Sequence, residues 1–279
     1  MVESLEGDEY PSLFEVFDAC CQGIRDSSIK EIQKYKYIYL LNTASYNYFA
    51  PTGEYEKIKN LEIPVFGLDF DEQQLQKDFK NLYKSQLVDG PARKYYDQIK
   101  RSQERCPYCQ KPRIEELDHF LPQSKYAIFS IFPPNLIPCC RNCNKNKRDK
   151  ILQLHPCYDY DYIHQCKWLF AEIVDDENGP TFRFYTNPPA ELDEVFKNKI
   201  KKYFDDLKLG RTYAEDSISE LVEAKELYDL KLTDTKLKEE LRQRFGNYDK
   251  EIINHWKRAI CECIDQASHE SILRLLEPI

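Results

Sequence analysis

Cys106-Pro107-Tyr108-Cys109 and Cys140-Arg141-Asn142-Cys143 are two C-x-x-C knuckles separated by thirty residues. Each knuckle turns two thiolates toward one ion across a tight turn, and two knuckles complete a closed tetrahedral site of the structural zinc kind. Cys139 adjoins this set and can replace Cys140 in register, although only Cys140 leaves a two-residue gap to Cys143. Ordinary buried cysteines are the plainer alternative, and two pairs at ribbon-like separation weigh against it.

Seven of the eleven cysteines (106, 109, 139, 140, 143, 157, 166) fall between 106 and 166. In a reducing compartment that clustering indicates metal rather than disulfides. A cytoplasmic location is expected, because residues 1–9 are acidic and show no basic start followed by an apolar stretch. No apolar run approaches the ~18 residues that span a bilayer. The 279 residues amount to about two average domains. The eight glycines are too widely spaced for a dinucleotide loop or a Walker loop. A net charge of −8 is awkward for a nucleic-acid binder, but residues 101–150 hold ten Lys or Arg against five Asp or Glu, a local +5 that leaves −13 elsewhere.

The expected class is α+β, with mainly helical N- and C-terminal regions around a central zinc-stapled motif that a β-hairpin follows. Residues 1–100 read as helical, broken at Pro51-Thr52-Gly53, Pro64 and Asp89-Gly90-Pro91. Leu75, Phe79, Leu82 and Tyr83 keep a helical spacing, as do Tyr95, Tyr96 and Ile99. Tyr35, Tyr37 and Tyr39 alternate like a strand within a lysine-rich context, which leaves their element open; core packing is favoured for these tyrosines over stacking on bases. Residues 101–160 have little periodicity and read as a site. In 161–190, Lys167 to Val174 and Thr181 to Tyr185 flank a turn at 175–179 and predict a hairpin. Residues 191–279 turn helical again, with Leu221, Ala224, Leu227 and Tyr228 on one face and Ile253, Trp256, Ile260 and Ile264 on another.

Between the knuckles, Leu117-Asp118-His119-Phe120-Leu121-Pro122 sets a carboxylate beside an imidazole. Asn135-Leu136-Ile137-Pro138 precedes the second knuckle, and Asn144 and Lys147 follow it. Over about fifty residues, 106–155, this resembles the HNH endonucleases, whose ββα-metal motif reads roughly D-H-x-x-P, then N-L-x-P-x-C-x-x-C-N-x-x-K in a zinc-stapled form. The chain departs from the family's name at its last position, where Asn144 stands for histidine.

The resemblance implies phosphodiester hydrolysis in nucleic acid, DNA foremost. His119 would accept the proton of the attacking water. Asp118 and the amide oxygen of Asn144 are hard oxygen ligands suited to Mg²⁺ or Mn²⁺, and His155 could approach that ion. Asn135 would orient His119 through its backbone carbonyl. Lys147, with Arg141, Lys145 and Arg148, is expected to contact phosphate rather than form only a solvated helix face.

The layout of the whole chain, together with the 117–126 stretch, is similar to HNH proteins of bacterial antiphage systems. Among these is the nuclease subunit of Septu-type systems, which implies an ABC-type ATPase as partner. A catalytically inactive zinc ribbon or scaffold subunit is the competing reading. It accounts for the cysteines and leaves Asp118-His119, Asn135 and Asn144 unexplained.

Overall fold

In a computed structural model the described residues are 11–22, 24, 32, 35–58, 71–111, 113–177 and 179–277. The expected break at Pro64, the acidic residues 1–9 and position 178 of the hairpin turn lie outside them. The architecture is α+β, and the chain divides into two compact units, 1–160 and 161–279.

The first unit begins with α1 (Leu13–Gln22). Its start follows from Ser12 and Glu15: the Ser12 hydroxyl accepts from the Glu15 N–H at 3.3 Å, and the Glu15 carboxylate accepts from the Ser12 N–H at 2.9 Å. This reciprocal pair satisfies two donors that a helix start leaves open. Next comes α2 (Lys36–Phe49), which settles the tyrosine run as helix. Tyr35 and Tyr39, four apart, face the core, whereas Tyr37 is 73% exposed. The helix ends where expected, in a 3₁₀ turn over Ala50–Thr52 closed by Gly53 at φ +71°.

Asp71 caps α3 (Glu72–Asn81) by accepting from the Gln73 and Gln74 N–H groups. The helix continues into a π turn, Leu82–Val88, and α4 (Arg93–Arg101) follows. Strands β1 (Glu116–His119) and β2 (Leu136–Cys139) pair antiparallel, with Glu116 opposite Cys139 and His119 opposite Leu136. The short helix α5 (Arg141–Lys147) leaves directly from β2.

The sixteen residues between β1 and β2 form an inward-packed loop. Phe129 and Phe132 both lie against Tyr46, with centroids 5.3 and 5.2 Å away, and Phe132 also meets Tyr39, which stacks on Phe17. A buried loop must satisfy its own backbone, and buried Asn135 does much of this. Its Oδ1 accepts from the Leu121 N–H at 2.7 Å, and its Nδ2 donates to the Leu121 and Phe129 carbonyls.

In the second unit β3 (Leu169–Asp176) and β4 (Gly179–Thr186) form the expected hairpin, in register from Leu169–Thr186 to Asp176–Gly179. Helices α6 (Glu194–Asp206), α7 (Leu209–Ala224), α8 (Asp234–Phe245), α9 (Trp256–Gln266) and α10 (His269–Leu276) complete it. Helix α7 packs along β4 and α9 along β3, with Trp256, Ile260 and Ile264 inward. Buried Asn254 uses every amide valence: its Oδ1 accepts from the Trp168 and Leu169 N–H groups, and its Nδ2 donates to the Ile163 and Cys166 carbonyls. No helix of the described residues is long and apolar enough to cross a membrane.

Candidate functional site

The sulfur atoms of Cys106, Cys109, Cys140 and Cys143 all lie within 4.8 Å of one another, and all four residues are buried. A tetrahedral ion with bonds of about 2.3 Å to sulfur has edges near 3.8 Å, and Cys109 Sγ stands 3.7 Å from Cys140 Sγ. The donor set therefore fits, and the cluster can hold a metal such as zinc. Local backbone explains the geometry. The Cys109 and Gln110 N–H groups both donate to the Cys106 carbonyl, and Gln110 takes φ +59° to close the first knuckle. At the second, Cys140 Sγ accepts from the Cys143 N–H while acting as N-cap of α5. Cys139, the alternative in register, is buried outside the cluster.

Asp118 is buried and both its oxygens are engaged. Oδ2 accepts from the Tyr108 hydroxyl at 2.7 Å, and Tyr108 sits inside the first knuckle. The Lys147 ammonium lies 3.3 Å from Oδ1 and 3.1 Å from Oδ2, and also donates to the His119 carbonyl at 2.7 Å. Lys147 is 0% exposed. The expected phosphate contact is thus corrected for Lys147: it is a buried counter-ion held in a cage of oxygens. Arg141, Lys145 and Arg148 are exposed on the same segment.

Asn144 makes its side-chain hydrogen bond to Glu116 and not to Asp118. Asn144 Nδ2 donates to Glu116 Oε2 at 2.7 Å, and Arg141 Nε lies 3.1 Å from Glu116 Oε1. The reason is periodicity: Glu116 and Asp118 share one face of β1, Asn144 and Lys147 share one face of α5, and the helix docks so that Asn144 meets Glu116 and Lys147 meets Asp118. The divalent ion expected at Asp118 and Asn144 therefore does not fit this arrangement.

Lys147→Met is expected to cost about 3–5 kcal/mol, because it strands the Asp118 charge in the interior. Asp118→Asn added to it should recover part of the loss. Denaturant melts of the two variants check this, and equal stability of Lys147→Met and wild type would contradict it.

His119 ends β1 and is partly buried. Its Nε2 lies 3.0 Å from the Ser130 carbonyl, which can only accept, so Nε2 carries the proton and Nδ1 keeps a lone pair. This corrects the expected role of Asn135, whose carbonyl accepts instead from the Phe120 N–H. Asn135 acts one step back by pinning the loop that carries Ser130. Burial lowers the His119 pKa, against opposing contributions from the Ser130 bond and Asp118, which favours the neutral ring. Tyr83 meets the ring edge-to-face with centroids 4.5 Å apart.

His155 does not join the site as a ligand. Its Nδ1 accepts from the Cys157 and Tyr158 N–H groups, so Nε2 carries the proton and donates to the Tyr46 hydroxyl at 3.3 Å. The ring is fully buried between Phe120 and Tyr158, and burial pushes its pKa down to about 3. Below its unfolded value of about 6.5, the unfolded chain takes up a proton that the folded chain refuses. Stability should therefore fall as the pH drops from about 6.5 toward about 3. Melting temperature against pH checks this: His155→Phe should flatten the curve, and an unchanged slope would refute the assignment.

Ser130, Tyr108, Glu116 and Tyr83 were not marked as site residues by the sequence. Ser130 acts through its backbone and leaves no residue-type signal. Tyr108 was legible as the x-x of a knuckle, and Glu116 as the strand residue two before Asp118.

No protein-family model matches the chain, and no solved structure matches it. The chain is similar to Protein ea31 of Escherichia phage lambda, at 27% identity over 290 residues that cover 93% of this chain and 95% of that protein.

Proposed function

We propose that β1, β2 and α5 form the ββα unit of an HNH-type nuclease, stapled by a structural zinc on Cys106, Cys109, Cys140 and Cys143, which hydrolyses phosphodiester bonds in nucleic acid, most of all DNA. The observation that carries this reading is the His119 imidazole: it ends the first strand and points its Nε2 at the Ser130 carbonyl, which leaves the Nδ1 lone pair to a water, while burial lowers its pKa and favours the neutral ring. Exposed Arg141, Lys145 and Arg148 suit a phosphate backbone. No step is assigned to Mg²⁺ or Mn²⁺. An ion at Asp118 has to displace the ammonium.

The test is cleavage of supercoiled plasmid, single-stranded DNA and RNA, each with Mg²⁺, Mn²⁺ or EDTA. Cleavage of one of them by wild type and not by His119→Ala supports the proposal, and equal cleavage by both overturns it. The EDTA arm, read on protein whose zinc content is checked, reports whether cleavage requires an added divalent ion. A catalytically silent zinc-stapled binding or scaffold subunit is the second reading. The Asp118–Lys147 pair favours it, since that pair closes the position of the expected ion. A role in antiphage defence and an ABC-type ATPase partner rest on the layout of the chain, and co-purification with the product of a neighbouring gene tests them.

A further inference from the structure

Among the described residues the His119 ring makes one hydrogen bond, to the Ser130 carbonyl. One net hydrogen bond prefers an orientation by roughly three- to tenfold, too little to keep a general base in a single tautomer and rotamer. Among the described residues Tyr83 also meets the ring, edge-to-face at 4.5 Å with an interplanar angle of 67°. An aromatic pair of this kind adds about another three- to tenfold.

Tyr83 reaches the ring from outside the hairpin and α5. It is the second residue of the π turn Leu82–Val88. In a π turn residues five apart stack on one side, and Leu82 and Leu87 are both buried. A continuous α-helix would separate those two leucines by about 140°. The π turn thus anchors both leucines and fixes where Tyr83 projects. Such turns inside helices are frequent at functional sites.

We propose that Tyr83 is a positioning residue for His119, closing the side of the imidazole that the Ser130 bond leaves free and holding Nδ1 in one orientation. This rests on the reading of His119 as the base, and the closing experiment separates the two.

The full-length zinc-loaded protein, labelled with ¹⁵N-histidine, is observed at about pH 8, where imidazoles are neutral, and the His119 signals are identified by their loss in His119→Gln. Wild type should show the single Nε2–H tautomer. Tyr83→Leu, which keeps apolar bulk without a ring, should show a mixture of tautomers, and Tyr83→Phe should restore the single one. Nucleic-acid turnover should follow, with kcat roughly tenfold lower in Tyr83→Leu, KM unchanged, and kcat recovered in Tyr83→Phe. Tyr83→Met serves in the same way should Tyr83→Leu fail to fold. A single wild-type tautomer in the ringless variant overturns the proposal. A mixed tautomer in a protein that cleaves nothing would uphold Tyr83 as the positioning residue and reject the nuclease reading.

Discussion

Cys106→Ser combined with Cys140→Ser is expected to strip the protein of its metal and unfold the first unit. One ligand is lost from each knuckle, so neither knuckle keeps a pair. Structural zinc contributes about 10–16 kcal/mol in zinc-finger peptides, while a whole domain is stable by about 5–15 kcal/mol. The cluster joins two short segments: a turn with Gln110 at φ +59° and the start of a seven-residue helix. The damage also reaches the site, because Tyr108 inside the first knuckle donates to Asp118. Metal analysis should fall from about one zinc per chain to none, with loss of cooperative melting of that unit. Cys139→Ser is the control, since its thiol lies outside the cluster and the zinc should stay. A double variant with full zinc and an unchanged melt would sink the assignment.

His119→Ala is expected to keep the zinc and the fold and to lower cleavage by about 10²- to 10⁴-fold, which corresponds to about 3–5 kcal/mol of barrier. The zinc should stay because the cluster consists of Cys106, Cys109, Cys140 and Cys143, without His119. The contacts of the ring with the Ser130 carbonyl and Tyr83 are lost with it. Imidazole added to the reaction should restore part of the rate to the truncated site by supplying the missing base. Single-turnover rates with matched zinc contents and melting curves make the comparison. A wild-type rate in this variant would place the base elsewhere.

The cysteine quartet was legible because C-x-x-C spacing itself dictates which sulfurs can share an ion. The hairpin at 169–186 and the helices around it were legible for a similar reason, since their periodicity is local. Partnerships between elements were not. Asp118 and Asn144 look like a pair when read along the chain, but the docking of α5 on β1 is set by packing. That docking gives Asn144 to Glu116 and Lys147 to Asp118. Lys147 lies in a run of basic residues that reads as a phosphate contact, and nothing in composition distinguishes the one that turns inward. The tyrosines at 35, 37 and 39 were ambiguous because spacings of two and four fit a strand face as well as a helix. Only the burial of Tyr35 and Tyr39 against exposed Tyr37 separates the two.

The loop between β1 and β2 has a consequence for how such a chain can change over generations. Its phenylalanines are the floor on which Tyr39 and Tyr46 of α2 rest, and His119 borrows a wall from Tyr83 in the segment after α3. Segment 106–155 is therefore no cassette. Recombination that delivered it alone into another protein would arrive with aromatic side chains facing water and with an unsupported imidazole. Viable exchange has to carry α1 through α4 along with it, so that the helices before the first knuckle and the knuckles themselves are inherited as one piece.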